Sequence, residues 1–268
     1  MNDSVGYVSY DRIGLGYGRF RKPDRRIKAR LMSALDDART VVNVGAGTGS
    51  YEPTDRVVLA VEPSEQMVKQ RPPDAAPCIR AAAERLPLFD QSFDAAMGVL
   101  TIHHWSDPVG GLRELVRVAP RVVLFAYEPT VHSTFWLWQE YFPAAASISA
   151  ASELPTEQVV DVIGADRVET VLVPHDCSDG FGPAYWRRPA AYLDPDVRGC
   201  ISGLARLSGE DLEPGLERLR QDLDTGAWQT RHQDLLNLDA IDTGLRLIVR
   251  EGPCPRSTTR GCSILPQR

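Results

Sequence analysis

The sequence of 268 residues has no apolar run near the roughly 18 residues that a membrane-spanning helix needs. Its polar first residues include Asp3 and Asp11 and do not resemble a secretory signal peptide. With a formal net charge of −6, the chain also lacks an overall basic field that would gather nucleic acid phosphates. These absences predict a soluble, cytoplasmic protein that binds neither membranes nor nucleic acid.

Cysteine is scarce, and its placement is irregular. The five positions are Cys78, Cys177, Cys200, Cys254 and Cys262. The number is odd and no two positions have C-x-x-C spacing, which argues against a disulfide framework and a zinc knuckle. We therefore expect reduced thiols and no metal.

A globular composition, with 43% apolar and 25% charged residues, predicts one large domain or one domain with an insert.

Short β-branched runs alternate with helical patterns between residues 25 and 127. Strands are predicted at 40–44, 57–61, 93–100 and 121–127, with a weaker one at 78–81, and helices at 64–70 and 108–118. The strands are continuous apolar runs, as expected for parallel strands covered on both faces. The pattern predicts an α/β fold with an open, doubly wound and mostly parallel sheet.

The composition changes after Pro129. Two more strands are predicted at 168–173 and 245–249, and an amphipathic helix at 210–223. The aromatic segment 135–142 fits either a helix packed on the sheet or a wall of a substrate pocket. The basic run 19–30 fits either a solvated helix face or an anion clamp over a ligand.

Three glycines follow the first strand at alternate positions: Gly45, Gly47 and Gly49. They let the backbone turn tightly and approach a ligand closely. Glu62 ends the next strand, where a carboxylate can accept hydrogen bonds from both hydroxyls of a ribose. The segment 83–87 precedes the fourth strand and could flank an adenine.

The glycine motif differs from a dinucleotide fingerprint. In G-x-G-x-x-G the third glycine would stand where Ser50 is found. A pyrophosphate also needs a helix N-terminus, but Pro53 interrupts the few residues before the second strand. A ligand with an adenosine and no phosphate fits this sequence better.

These motifs resemble the class I S-adenosylmethionine-dependent methyltransferases, especially the small-molecule group that includes ubiquinone and menaquinone biosynthesis enzymes. The resemblance rests on VVNVGAGTG, AVEPSEQM, AAAERLPLFDQSFD, VLTIHHW and LRELVRV, in family order within residues 40–127. It implies a Rossmann-like, seven-stranded sheet. It also implies S-adenosylmethionine as the cofactor and S-adenosylhomocysteine as its product.

The resemblance implies a set of cofactor-binding residues. Gly45, Gly47 and Gly49 would line the methionine part, Glu62 would hold the ribose, and Leu100 to His103 would lie beside the sulfonium. The resemblance adds two residues of the N-terminal segment and further residues within or next to the motifs above. They are Tyr17, Arg21, Asn43, Ala46, Pro63, Met67, Ala83, Glu84, Leu100, Thr101 and His103. Two features depart from the family, namely Asn43 in place of an acidic residue and the missing helix after Gly49.

The resemblance also suggests how the chain is divided. We predict an N-terminal helical lid segment (1–39) and a cofactor-binding core (40–129). A substrate-pocket segment that completes the sheet (130–251) and a flexible tail (252–268) follow.

The candidate catalytic residues are His104, His175 and Asp176. His104 follows the fourth strand, whereas the other two lie in a polar turn after the predicted strand 168–173. One of them could remove a proton from the acceptor; packing of His104 and capping by Asp176 are the structural alternatives.

We expect a small-molecule or peptide acceptor and a monomer or homodimer. A nicotinamide-dependent oxidoreductase and a non-catalytic cofactor-binding protein are the rival functions. RNA methylation is disfavoured because 98–102 lacks an Asn-Pro-Pro-Tyr type motif.

Overall fold

The computed structural model describes residues 17–252. Seven strands form one sheet in the order β3-β2-β1-β4-β5-β9-β6, and β7 and β8 form a separate pair. The strands are β1 (Thr40–Val44), β2 (Val57–Val61), β3 (Cys78–Ile79), β4 (Ala95–Val99), β5 (Arg121–Tyr127), β6 (Arg167–Thr170), β7 (Val173–Pro174), β8 (Ala240–Ile241) and β9 (Leu245–Arg250). The predicted α/β fold with a mostly parallel seven-stranded sheet is confirmed.

The centre of the sheet is parallel. Val42 of β1 lies opposite Leu59 of β2 on one side and Ala96 of β4 on the other. β9 is antiparallel to both of its neighbours, β5 and β6, with Leu124 opposite Ile248. The carboxyl ends of β1, β2, β4 and β5 therefore meet along one edge, where ligands bind in open α/β sheets.

Twelve α-helices surround the sheets in the part of the chain that is described. They are α1 (Tyr17–Phe20), α2 (Arg25–Ala34), α3 (Glu65–Lys69), α4 (Pro108–Val118), α5 (Pro129–His132), α6 (Trp136–Glu140), α7 (Pro143–Ala150), α8 (Thr156–Ile163), α9 (Pro195–Gly199), α10 (Ser202–Ala205), α11 (Gly209–Thr225) and α12 (Ala227–Arg231). Short 3₁₀ turns occur at Ile102–His104, Gly182–Tyr185, Pro189–Leu193 and Leu235–Asn237.

The two faces of the sheet have different covers. Helices α4 and α8 pack on one face, where Leu112 and Ile163 join Val42 and Ile248 in one apolar cluster. The other face is covered by α2 and by the aromatic segment with the loops around it. Trp138 of α6 is buried in that cover and also borders a cavity, so both interpretations of the segment 135–142 apply to this residue.

The prediction of one strand at 168–173 is wrong in part, because the structure divides these residues between β6 and β7. Val171 still donates its backbone N–H to Leu245, at 3.0 Å, but the chain then leaves the large sheet. Val173 pairs instead with Ile241, in the two-stranded sheet formed by β7 and β8. This change of partner places His175 beside Asp239, whose carbonyl accepts the backbone N–H of His175 at 2.9 Å.

Between residues 17 and 252, none of the helices is long and apolar enough to cross a membrane. The tail predicted for 252–268 lies almost wholly outside the described residues, as do the first 16 positions of the predicted lid segment and the side chain of Tyr17.

Candidate functional site

The turn after β1 depends on left-handed glycines. Gly45, Gly47 and Gly49 have φ angles of +68°, +53° and +89°. A Cβ at Gly45 would lie 1.8 Å from Thr101 Oγ1, so only glycine fits between β1 and the turn after β4. The N–H groups of Gly45 and Ala46 donate to the carbonyl of Val61 and tie the turn to the end of β2.

Glu62 holds the same turn from the other side. Its Oε2 accepts the N–H of Gly47 at 2.7 Å, and its Oε1 accepts the N–H of Ser64 at 2.9 Å. The side chain is buried and borders a cavity next to Pro63 and Met67. This is the position at the end of β2 that the sequence predicts for a ribose-binding carboxylate.

An ion pair lies beneath the glycine turn, where the helix is missing. Arg71 Nη2 lies 2.8 Å from both carboxylate oxygens of Glu52, and Nη1 donates to the carbonyl of Gly47 at 3.2 Å. Asn43 Nδ2 donates to Glu52 Oε1 at 3.3 Å, so the residue that departs from the family belongs to this network. The side chains of Arg71 and Glu52 are 5% and 6% exposed. Sequence reasoning missed both of them, because they lie 19 positions apart and follow no motif.

The first cavity occupies the carboxyl edge of β1, β2 and β4 and has a volume of about 930 Å³. Most of the predicted cofactor-binding residues line it: Arg21, Asn43, Gly45, Ala46, Gly47, Glu62, Pro63, Met67, Ala83, Leu100 and Thr101. His104, predicted as catalytic, is also part of the lining, as are Thr48, Ser50, Tyr51 and Trp105, which the sequence did not single out.

Besides Tyr17, whose side chain lies outside the described residues, three predicted cofactor residues are not in this lining. Gly49 packs against Glu52 instead. Glu84 accepts hydrogen bonds from the backbone N–H groups of Ser106 and Asp107, at 2.6 and 3.0 Å, and so fixes the start of α4. His103 faces a second cavity.

The second cavity adjoins the first and has a volume of about 480 Å³. Arg21, Leu100 and His104 border both cavities. The remaining walls come from β5, the helices after it and the loops of residues 181–203: His103, Tyr127, His132, Trp138, Ser149, Glu153, Phe181, Gly182, Cys200, Ile201, Ser202 and Gly203. The junction of the two cavities lies at the end of β4.

His103 and His104 stand side by side in the 3₁₀ turn after β4, with ring centroids 3.9 Å apart. Enclosure by the protein lowers the pKa of His103 to about 3, and the positive charge of Arg21 adds to this effect. The same desolvation lowers the pKa of His104 well below its ordinary value. Both imidazoles are therefore neutral at neutral pH.

His175 and Asp176 lie away from both cavities. Asp176 is exposed and pairs with Arg26 Nη1 at 2.8 Å, which lowers the pKa of its carboxyl group. The His175 ring donates from Nδ1 to the carbonyl of Asp239 at 3.3 Å. Because β7 turns the chain toward β8, the structure does not bring either predicted catalytic residue to the cavity junction.

Asp179, from the same polar turn, does contact the cavity walls, through Arg21 and Tyr51. Its fully buried carboxylate accepts a hydrogen bond from Arg21 Nε at 2.7 Å and another from the hydroxyl of Tyr51 at 2.9 Å. Burial and the neighbouring Asp179 charge raise the pKa of Tyr51. Arg21, predicted to approach the cofactor carboxylate, is thus held at the meeting point of the two cavities.

The basic run 19–30 forms ion pairs with acidic residues far along the chain. Besides the pair at Arg21, Arg26 contacts Asp176, and Arg30 lies 3.6 Å from Glu169. These pairs attach the N-terminal segment to residues 169–179. Only Arg21 of this run borders the two cavities, whereas Arg25, Arg26 and Arg30 are exposed, as expected for a solvated helix face.

In the range 17–252, no three side chains of His, Cys, Asp or Glu come together in a way that could hold a metal ion.

Comparison with known proteins agrees with this geometry. The model of a family described as a methyltransferase domain matches residues 42–124. The chain is 33% identical over 107 residues to 2-methyl-6-phytyl-1,4-hydroquinone methyltransferase 1 of Oryza sativa subsp. japonica, a chloroplastic protein. That match covers 36% of this chain and 32% of the rice protein, so the chain spans about a third of the curated relative.

Two solved structures extend the comparison. A protein of Anabaena variabilis ATCC 29413, described as a methyltransferase from an antibiotic biosynthesis pathway, is 33% identical with a TM-score of 0.79. The match covers 86% of this chain and 98% of that one. The [4+2]-cyclase SpnF is 15% identical with a TM-score of 0.51, covers 91% of this chain and 93% of its own, and shows the fold alone.

The sheet order, the glycine turn, the acidic end of β2 and the match along nearly the whole Anabaena protein agree. The chain belongs to the class I S-adenosylmethionine-dependent methyltransferases.

Proposed function

We propose that the protein transfers a methyl group from S-adenosylmethionine to a small-molecule acceptor. One observation carries this proposal: two adjoining cavities meet at Arg21, Leu100 and His104, at the carboxyl edge of the sheet. A transferase needs this arrangement because its two substrates must be aligned at near-attack distance.

The first cavity fits the cofactor. The glycine turn would receive the methionine part, and Glu62 would hold the ribose. No helix in the described chain starts between Gly49 and β2, which disfavours the pyrophosphate of a dinucleotide. When bound, S-adenosylmethionine supplies an electrophilic methyl group on sulfur.

The second cavity fits the acceptor. The rings of Tyr127, Trp138 and Phe181 in its wall suit a flat, partly apolar molecule. The name of the rice relative specifies a hydroquinone, an acceptor of this class.

His104 remains the candidate catalytic residue, because it alone of the three predicted borders both cavities. Its neutral imidazole can accept a hydrogen bond from the acceptor. We expect His104→Ala to lower turnover by more than about tenfold, as for loss of a proton acceptor. His175→Ala, which changes a residue outside both cavities, is the matched control.

Calorimetry with S-adenosylhomocysteine and with NADH separates the proposal from an oxidoreductase. We expect the sulfur ligand to bind and NADH not to bind. Glu62→Ala should weaken that binding by roughly 1–3 kcal/mol, because a buried hydrogen-bond acceptor is lost. Glu65→Ala changes an exposed acid nearby and should leave the affinity unchanged. Binding of NADH alone would refute the proposal.

A further inference from the structure

Glu153 is a buried acidic side chain in the wall of the second cavity, just after α7. Its carboxylate is only 4% exposed. Oε1 lies 2.8 Å from Nδ1 of His132, whose side chain is 5% exposed. Among the residues that the structure describes, His132 is the only one within ion-pair distance of this carboxylate.

The contacts of His132 determine which of its nitrogens carries the proton. Trp138 Nε1 lies 3.2 Å from His132 Nε2, and an indole N–H can only donate. Nε2 is therefore the hydrogen-bond acceptor, and the proton of the neutral ring is on Nδ1, which donates to Glu153. Tyr127 stacks on the imidazole with ring centroids 4.0 Å apart and planes inclined by 12°, which fixes the ring orientation.

The hydrogen-bond partner of Glu153 is therefore the neutral ring of His132. A carboxylate that is enclosed to this extent needs strong hydrogen-bond donors. A buried charge is costly unless it is paired or hydrogen bonded. Arg21 is the cation in the wall of this cavity, and it is bonded to Asp179. A ligand in the cavity is consequently the natural source of further donors.

We propose, on the basis of the function proposed above, that Glu153 binds the methyl acceptor by accepting a hydrogen bond from its O–H or N–H group. His132 is then a positioning residue, since Trp138, Tyr127 and Glu153 occupy its nitrogens and one face. The acceptor presents a donor at this end of the cavity and not a carboxylate or phosphate, because like charges repel strongly in an enclosed site.

The test uses hydroquinone and 1,4-dimethoxybenzene as probes, which share a ring but differ in O–H donors. Each is titrated calorimetrically into protein saturated with S-adenosylhomocysteine. We expect wild-type protein to bind hydroquinone at least about tenfold more tightly, since hydrogen bonds to charged groups are the stronger class. Benzoate, which brings a negative charge, should bind no better than 1,4-dimethoxybenzene.

Glu153→Gln is the informative variant, because the amide oxygen can still accept the His132 proton while the charge is lost. It should weaken hydroquinone binding about tenfold and leave 1,4-dimethoxybenzene unchanged. Glu157→Gln, an exposed acid in α8, is the matched control and should behave like wild type.

The outcomes distinguish this inference from the proposed function. Failure of the wild type to bind S-adenosylhomocysteine would overturn the proposed function itself. Normal binding of that ligand, without preference for hydroquinone over 1,4-dimethoxybenzene, would overturn only the role of Glu153. Equal hydroquinone affinity in wild type and Glu153→Gln would do the same. The comparison of probes on wild-type protein decides the matter even if the variant does not fold.

Discussion

The two cavities share three residues but are built differently. The first takes nearly all of its walls from residues 43–105, as strand ends and the turns that follow them. The second is assembled from Arg21, the turn after β4, the end of β5 and residues of the segments 132–153 and 181–203. Backbone conformation shapes the first cavity and side-chain contacts shape the second. A cavity at strand ends can be encoded in a local motif, whereas a cavity assembled from distant segments depends on long-range packing.

The largest expected effect comes from breaking the backbone conformation of the first cavity. Gly45→Ala places a Cβ 1.8 Å from Thr101 Oγ1 at a φ of +68°. We expect loss of S-adenosylhomocysteine binding by more than about 100-fold, together with a loss of several kcal/mol in stability, because clash and strain act together. Calorimetry and thermal unfolding measure both quantities.

Gly47→Ala is the matched control for this variant. It has a similar φ of +53°, but its Cβ meets nothing within 4 Å. Only strain of about 1 kcal/mol is expected, so it should lose much less stability than Gly45→Ala. Equal losses in both variants would contradict the steric explanation.

The next effect concerns the ion pair that supports the glycine turn. Arg71→Met leaves Glu52 buried without its cation and removes the bond to the carbonyl of Gly47. We expect a stability loss of about 3–5 kcal/mol, typical of a broken buried pair. We also expect an affinity for S-adenosylhomocysteine about tenfold lower, as for a loss of about 1.4 kcal/mol.

Arg117→Met serves as the control, because Arg117 pairs with Glu114 at 2.6 Å outside both cavities. It should change stability without changing the affinity of the folded protein. If both variants leave the affinity intact at a temperature where they are folded, Arg71 does not position the turn.

A smaller effect is expected at the junction of the cavities. Asp179→Asn removes the charge that holds Arg21 and Tyr51, and we expect a loss of about 1.5–3 kcal/mol in unfolding free energy, as for a charged hydrogen bond. Asp176→Asn changes the exposed pair three residues earlier in the same turn, which should be worth less than about 1 kcal/mol. Urea unfolding measures the loss of unfolding free energy in both variants. Similar losses would contradict the difference expected between the buried pair and the exposed pair.

The smallest effect is a pH dependence at His103. Its pKa of about 3 lies below the ordinary 6.5, so the unfolded chain binds a proton in this range and the folded protein does not. Stability falls as the pH drops from 6.5 toward 3. His103→Gln should remove about 1 kcal/mol of the loss between pH 6.5 and 5.5. Urea unfolding at these two pH values measures it, and parallel curves for variant and wild type would contradict it.

The parallel strands β1 and β5 and the helix α4 could be predicted because their signals are local. Thr40–Val44 and Arg121–Tyr127 are continuous apolar runs, and the structure gives them the predicted bounds. The helix Pro108–Val118 is also as predicted, since Asp107 caps it by accepting the N–H of Gly110 and proline occupies its first turn. The glycine turn and Glu62 follow from spacing in the same way.

The elements of the second cavity could not be predicted in this manner. Nothing near Glu153 in the sequence indicates that it meets His132, because the contact depends on how α5 and α7 fold over β5. The turn with His175 and Asp176 has the composition of a catalytic loop and of a capping turn alike. Which of its acids is buried depends on contacts with distant residues: Asp179 is buried against Arg21 and Tyr51, whereas Asp176 is exposed.

The antiparallel strand β9 has a consequence for how the protein folds. Its residues 245–250 pair with the outer edge of β5. That edge of β5 therefore has no partner until nearly the whole described chain has been synthesised. Such non-local pairing slows folding, and an exposed apolar edge is prone to pair with other chains. The stage between synthesis of β5 and arrival of β9 is therefore when the nascent chain is most at risk of aggregation. A chain truncated before residue 245 would remain at that stage.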